Sequence, residues 1–144
     1  MRLWHYAVLP YLPRSQLLAQ WRELNSMYAK EDRHILINYA YEYPKSELYL
    51  YSQMVLEEMQ KRGFQIRAWD KYHAYFADEI MHVAPKPRPV FVQHHDFEYL
   101  QICYFNLAEK YLRGQKDYPQ PLFARLQDLY QQQCTALNQK TNIV

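Results

Sequence analysis

The sequence predicts an all-α fold, and three observations carry that prediction. Apolar residues recur at helical spacing in several long stretches, prolines stand at the starts of those stretches, and Gly63 and Gly114 fall just past the ends of two of them. With 144 residues, 49% of them hydrophobic and 17% aromatic, the chain can bury a core as one compact domain over residues 1–144. Those two glycines are all there are, which disfavours Gly-rich phosphate loops and dinucleotide folds.

The elements follow in order. Residues 1–12, punctuated by Pro10, read as an extended or irregular leader. Pro13 opens a first helix over about residues 13–30, since its fixed φ suits a first turn and its missing N–H is not needed there. Leu17, Trp21, Leu24 and Tyr28 form its apolar stripe. The opposite face carries Ser15, Ala19, Ser26 and Lys30, flanked by Arg22 and Glu23. It is either a ridge of small residues that another backbone can approach or an ordinary solvated face. The charged turn Lys30-Glu31-Asp32-Arg33 ends the helix.

His34 to Tyr43 alternates partly like a strand but is short, and is read as buried coil or a short helix. Pro44 opens a second helix with Leu48, Tyr51, Val55 and Met59 on one face. Glu57–Lys61 and Glu58–Arg62 pair on its exposed side, and Gly63 takes the C′ position. Trp69 to Phe76 reads as partly helical, and Pro85 to Pro89 as an extended crossing segment whose Lys86 and Arg88 face phosphate or solvent. Asp96 caps a third strong helix with Phe97, Leu100, Tyr104, Leu107, Ala108 and Tyr111 inward. After Pro119 and Pro121, Leu122, Leu126, Leu129 and Leu137 outline a last helix, and residues 142–144 are expected to be loose. The result is about four main helices with an extended N-terminal leader.

Composition narrows the function classes. No apolar run approaches the ~20 residues that span a membrane, and Arg2, His5 and two prolines interrupt any secretory leader. Cys103 and Cys134 are too few and too isolated for a disulfide framework, so both are expected to be reduced thiols in a cytoplasmic, monomeric protein. A net charge of +2 permits nucleic acid as a partner without demanding it. The six histidines form no HExxH or other compact ligand set, and neither cysteine has a CxxC partner, so no metal and no cofactor is expected. His94-His95, just before a helix, reads as a pair of loop residues, and His34 as a site-shaping residue or a buried, hydrogen-bonded one. Tyr51 reads as core, whereas Tyr39, Tyr41 and Tyr43 suit either core or base stacking.

The terminus holds the most chemistry. The Met1 amine, Arg2, Arg22 and Glu23 fall within one leader and one helix, and an amine beside a carboxylate is the minimum equipment for imine formation on an aldehyde-bearing substrate. Gln16 to Leu24, ending Trp21-Arg22-Glu23-Leu24, resembles the helix of the phage endonuclease V-like pyrimidine-dimer DNA glycosylases. Lys61-Arg62-Gly63-Phe64 with Ile66 is similar to that family's KRGF-x-I. The opening MRLWH and the run Leu12-Pro13-Arg14-Ser15-Gln16-Leu17-Leu18 look like its bacterial branch. The resemblance covers roughly residues 1–76.

The resemblance implies an all-α DNA-repair enzyme, a glycosylase and AP lyase, acting on damaged double-stranded DNA. Its terminal amine attacks the sugar C1′, displaces the base, and cuts the strand by β-elimination from the imine. An α-amine, with a pKa of ~7.7–8.0 against ~10.4 for lysine, is nucleophilic at neutral pH. By position, the resemblance makes Met1 the nucleophile and Glu23 the catalytic carboxylate, with Arg2 and Arg22 contacting DNA. Gln16, Lys30 and Arg33 are further DNA-contact candidates. Gln16 and Ser26 stand where the phage enzyme has histidine and arginine, so the resemblance carries the amine chemistry further than it carries a particular lesion. The competing readings are a non-catalytic relative that binds nucleic acid or protein with the same helices and, more distantly, a metal-dependent hydrolase.

Overall fold

A computed structural model describes residues 1–77 and 89–142. Among these residues there are five α-helices and no strand: α1 Arg14–Lys30, α2 Lys45–Lys61, α3 Asp70–Phe76, α4 Phe97–Leu112 and α5 Gln120–Asn142. Short 3-10 helices form at Tyr6–Tyr11 and Asn38–Glu42. The four long helices are those predicted, and α3 is the helical part of the Trp69 to Phe76 segment. The crossing segment with Lys86 and Arg88 lies outside the described residues but for Pro89, and α5 continues to Asn142, where a loose end was expected.

The helix ends follow local chemistry. Glu31 stops α1 in the left-handed region at φ 49°, its N–H bonding to Met27 C=O. Gly63, at φ 77°, closes α2: its N–H reaches Gln60 C=O while the Phe64 N–H reaches Met59 C=O. That pairing is a Schellman motif, which requires a positive φ at C′. Gly114 ends α4 the same way, and Asp96 caps its start by accepting the Tyr99 N–H at 2.9 Å.

The leader, expected to be extended or irregular, is irregular over residues 1–5 and forms a 3-10 helix over Tyr6–Tyr11. His5 caps a 3-10 turn, its Nδ1 accepting the Ala7 N–H at 3.0 Å, and Pro10 is compatible with that backbone. Leu3, Val8, Leu9 and Leu12 are all but fully buried. The Tyr6–Tyr11 helix contacts α2, α4 and α5, whereas α1 packs on α2 and α3, and α4 on α5. The leader is therefore the joint between an α1–α2–α3 group and an α4–α5 pair.

Arg62 is the clearest correction to the charge pattern. Its pairing with Glu58, at 2.9 Å, is largely buried rather than solvated, because the same guanidinium donates to Leu12 C=O at 2.8 Å and Pro10 C=O at 3.0 Å. It neutralises the carbonyl end of the leader. Glu57–Lys61 is the exposed pair expected.

One cluster of buried side chains runs through all these elements. Leu17, Leu24, Tyr51, Val55, Leu107 and Leu126 are fully buried, each worth about 1.5–3 kcal/mol for an aliphatic side chain. Trp21, Tyr28, Trp69, Tyr72 and Phe76 meet edge-on between α1 and α3, and Tyr104 stacks on Tyr130 at 4.1 Å between α4 and α5. Leu137 is 43% exposed rather than inward, because the 23-residue α5 outruns the 16-residue α4 on which it packs.

Candidate active site

Residues 2–4 of the leader are held on α1 by one buried amide. Gln20 is 1% exposed, and its Oε1 accepts the Trp4 N–H at 2.8 Å and faces the Tyr51 hydroxyl at 2.9 Å. Its Nε2 donates to Arg2 C=O at 3.1 Å and to Glu23 Oε2 at 3.2 Å. Only a neutral group that both donates and accepts satisfies these four partners. The Tyr51 hydroxyl also reaches Trp4 C=O at 2.6 Å, and Tyr99 donates to Leu3 C=O at 2.5 Å. Side chains thus replace the strand partner that an extended segment otherwise needs.

This folding-back opens a cleft of about 260 Å³ lined by Met1, Arg2, Trp4, Gln16, Glu23, Leu36, Asn106 and Lys110. The Arg2 backbone N–H donates to the Glu23 carboxylate, and three covalent bonds separate that nitrogen from the Met1 amine. Desolvation raises the Glu23 pKa above the ordinary carboxylate value. The terminal ammonium, the Arg2 N–H and the Arg22 and Arg2 guanidiniums oppose that rise without cancelling it. The Arg2 guanidinium lies over the Trp4 ring at 5.6 Å and bonds to Tyr99 and Cys103 beneath the leader. An amine, a half-buried carboxylate with a raised pKa and a second amine from Lys110 therefore share one opening.

Met1, Arg2, Gln16 and Glu23 are brought together; the other candidates are not. Arg22 lines a second cleft, of about 540 Å³, with Trp21, Asn25, Met59, Arg67 and Lys71 among its walls. There Asn25 Oδ1 is buried with no hydrogen-bond partner among the described residues. Lys30 pairs with Asp32 at 3.5 Å, and the Arg33 guanidinium stacks on Tyr41 at 4.6 Å. His34 is exposed, not buried: its Nδ1 accepts the Leu36 N–H at 3.2 Å and fixes the turn that carries Leu36 into the first cleft. The small-residue ridge is split as well. Ser26 bonds to Asp32 at 2.6 Å, and the Ser15 N–H donates to Asp117 at 2.7 Å.

Gln20, Leu36, Asn106 and Lys110 escaped the sequence reading. Gln20 left a trace, being a polar residue at 20 inside the 17–21–24–28 stripe. Asn106 and Lys110 sit one turn apart on α4, but nothing in the sequence says that the leader returns to that face.

The histidines serve the leader too. His5 and His95 are each 4% exposed, with ring centres 5.2 Å apart. Burial lowers His5 to a pKa of about 4 and His95 to about 2, so both are neutral. His95 Nδ1 accepts the Tyr6 N–H at 3.1 Å, which leaves Nε2 to carry the hydrogen toward the Tyr39 hydroxyl at 2.7 Å. His94 and His95 lie in the loop before α4, but His95 is buried there, its ring held by the Tyr6 N–H of the leader and by the Tyr39 hydroxyl. Tyr39 and Tyr43 are partly buried, and each bonds to one of the two histidines. Among the described residues, no group of three or more His, Cys, Asp or Glu could hold a metal ion.

No curated protein and no solved structure matches the chain. A family model does match, that of the pyrimidine dimer DNA glycosylases, over residues 1–80. The matched span is more than half of the sequence and contains the leader, Gln20, Glu23 and Arg62, the residues that fold the terminus back on α1. The protein belongs to the pyrimidine dimer DNA glycosylase family.

Proposed function

We propose that the protein is a glycosylase and AP lyase in which the α-amine of Met1 is the nucleophile and Glu23 the proton-transfer group. The observation that carries this reading is the shared cleft, in which Glu23 accepts the N–H next to the residue bearing the amine. The neutral amine attacks C1′, the C1′–N glycosidic bond breaks, and the base leaves with a proton. Opening of the sugar ring gives an imine between Met1 and C1′. Loss of the C2′ proton to Glu23 then expels the 3′-phosphate by β-elimination, and water hydrolyses the imine to return the amine.

A carboxylate with a raised pKa suits this double duty, since it gives and takes a proton more readily than an exposed one near its ordinary value. Gln16, Asn106 and Lys110 hold the backbone of the reacting strand, Arg22, Lys30 and Arg33 engage the flanking duplex, and Arg2, its guanidinium held beneath the leader, adds its positive charge to the site. A pyrimidine dimer is the lesion that the family's description supplies.

Trapping tests the mechanism. Untagged protein incubated with abasic-site duplex and borohydride forms a covalent adduct, and peptide mass analysis finds it on Met1. Glu23→Gln loses strand cleavage with its helical content unchanged, and blocking the amine abolishes the adduct. Folded protein that gives no adduct, or an adduct on Lys110 instead, overturns the assignment.

A further inference from the structure

Beside the cleft, residues 35–37 present two adjacent apolar side chains to solvent, Ile35 at 85% and Leu36 at 42% exposure. The turn bearing them is braced. The His34 N–H donates to Asn38 Oδ1 at 2.8 Å, and the His34 C=O accepts the N–H groups of Ile37 and Asn38, each at 2.9 Å. His34 Nδ1 holds the Leu36 N–H, and Ile37 is fully buried, anchoring the turn in the core. Leu36 lines the same cleft as Met1 and Glu23. Lys30 and Arg33 come just before the turn in the sequence, and Lys110 lines the cleft that Leu36 lines. A rigid apolar knuckle set among cations is complementary to a duplex, whose phosphates take the cations and whose base stack takes the apolar tip.

We propose that Ile35 and Leu36 form a wedge that enters the base stack of duplex DNA next to the lesion and turns the reacting sugar toward the cleft. The proposal rests on the cleft being the site of reaction. Inside an intact duplex, C1′ is flanked by stacked neighbours, and a nucleophile fixed in a narrow cleft reaches it only if the step opens. Unstacking a step is costly, and the insertion of apolar side chains offsets that cost. In a single strand there is no duplex step to open, so the wedge is not needed there.

The test compares wild type, Ile35→Ser and the conservative Ile35→Leu; Leu36 is left in place because it also lines the cleft. The substrates are an abasic-site duplex with 2-aminopurine beside the site and the same strand unpaired. With wild type and Ile35→Leu, 2-aminopurine fluorescence rises when the duplex binds. Ile35→Ser loses most of that rise and cleaves the duplex roughly tenfold more slowly, while cutting the single strand at the wild-type rate. A fluorescence rise that persists in full in Ile35→Ser, or a loss of rate equal on both substrates, overturns the wedge. The fluorescence arm needs no chemistry, so it decides the wedge even where borohydride trapping fails and the amine mechanism with it.

Discussion

Gln20→Leu separates positioning from chemistry, because the substitution keeps the volume and removes four hydrogen-bonding relations at once. Two groups are left without their partner: the buried Trp4 N–H and the part-buried Arg2 C=O. Tyr51 keeps Trp4 C=O as an acceptor, so its hydroxyl is not orphaned. At about 1–3 kcal/mol for the buried N–H and about 1 kcal/mol for the part-buried carbonyl, the loss is roughly 2–4 kcal/mol. Against the ~5–15 kcal/mol of a typical domain, that leaves the protein folded at 25 °C, with its melting temperature lowered by roughly 6–12 °C. Leu3 and Trp4, at 0% and 6% exposure, still hold the leader in the core, so residues 1 and 2 shift rather than detach.

A displacement of about 1 Å at a reacting group is enough to cost around a hundredfold in rate. The assay pairs denaturant unfolding with the rate of borohydride trapping on abasic duplex, using Tyr51→Phe as the control that keeps the amide. Gln20→Leu should lose about two orders of magnitude in trapping under conditions where it is fully folded. A wild-type trapping rate in a destabilised variant would show that the amide supports the fold but does not place the amine. A wild-type unfolding midpoint would refute the hydrogen-bond accounting itself.

The remaining predictions concern acid and salt. His5 and His95 are neutral when folded and take up a proton more readily when unfolded, so their contribution is complete above about pH 6.5 and is lost as pH falls. The slope is up to ~1.4 kcal/mol per pH unit for each histidine. That for His5 ends near its folded value of about 4, whereas His95 continues toward about 2. From pH 6.5 to 5 the unfolding free energy should drop by roughly 3–4 kcal/mol, and a flat denaturant midpoint over that window would exclude a neutral buried pair. Lys110→Gln should lower the slope of log affinity against log salt by about 0.9, the share of one phosphate contact, while single-turnover cleavage at saturating DNA stays within a few-fold. An unchanged salt slope would remove Lys110 from the DNA surface.

What could be read from the sequence follows the range of the interactions. The stripe of Leu17, Trp21, Leu24 and Tyr28 and the glycines at 63 and 114 act within a turn or two, and the helices they define appear where expected. The 3-10 turn of the leader was not legible, since a histidine cap and a proline leave no period to detect. Arg62 looked like one half of an i, i+4 surface pair, and its second role depends on carbonyls 50 and 52 residues away. His95 lies in the loop expected for it, but its burial is not legible, since its partners Tyr6 and Tyr39 are distant in sequence. Within the cleft, Met1 and Glu23 were legible as chemistry but not as neighbours. Their proximity depends on Gln20, which the sequence marks only as a polar residue beside the apolar stripe and not as the group that holds the leader.

A reactive terminal amine makes a demand that most folds avoid, because chain ends fray and a frayed nucleophile has no fixed distance to its acid–base partner. Here the leader is the joint between the α1–α2–α3 group and the α4–α5 pair, so the terminus cannot loosen without opening the core. Three polar devices hold that joint, and each uses leader backbone: Gln20 on residues 2 and 4, the histidine pair on residues 6 and 7, Arg62 on residues 10 and 12. Under the proposed chemistry, stability and turnover are coupled at these positions and uncoupled elsewhere. A change that weakens the leader also misplaces the amine, whereas one of similar cost on the outer turns of α5 leaves the cleft as it was. Under that chemistry, the bonds that make the leader part of the core are the same bonds that would hold Met1 in place as the nucleophile.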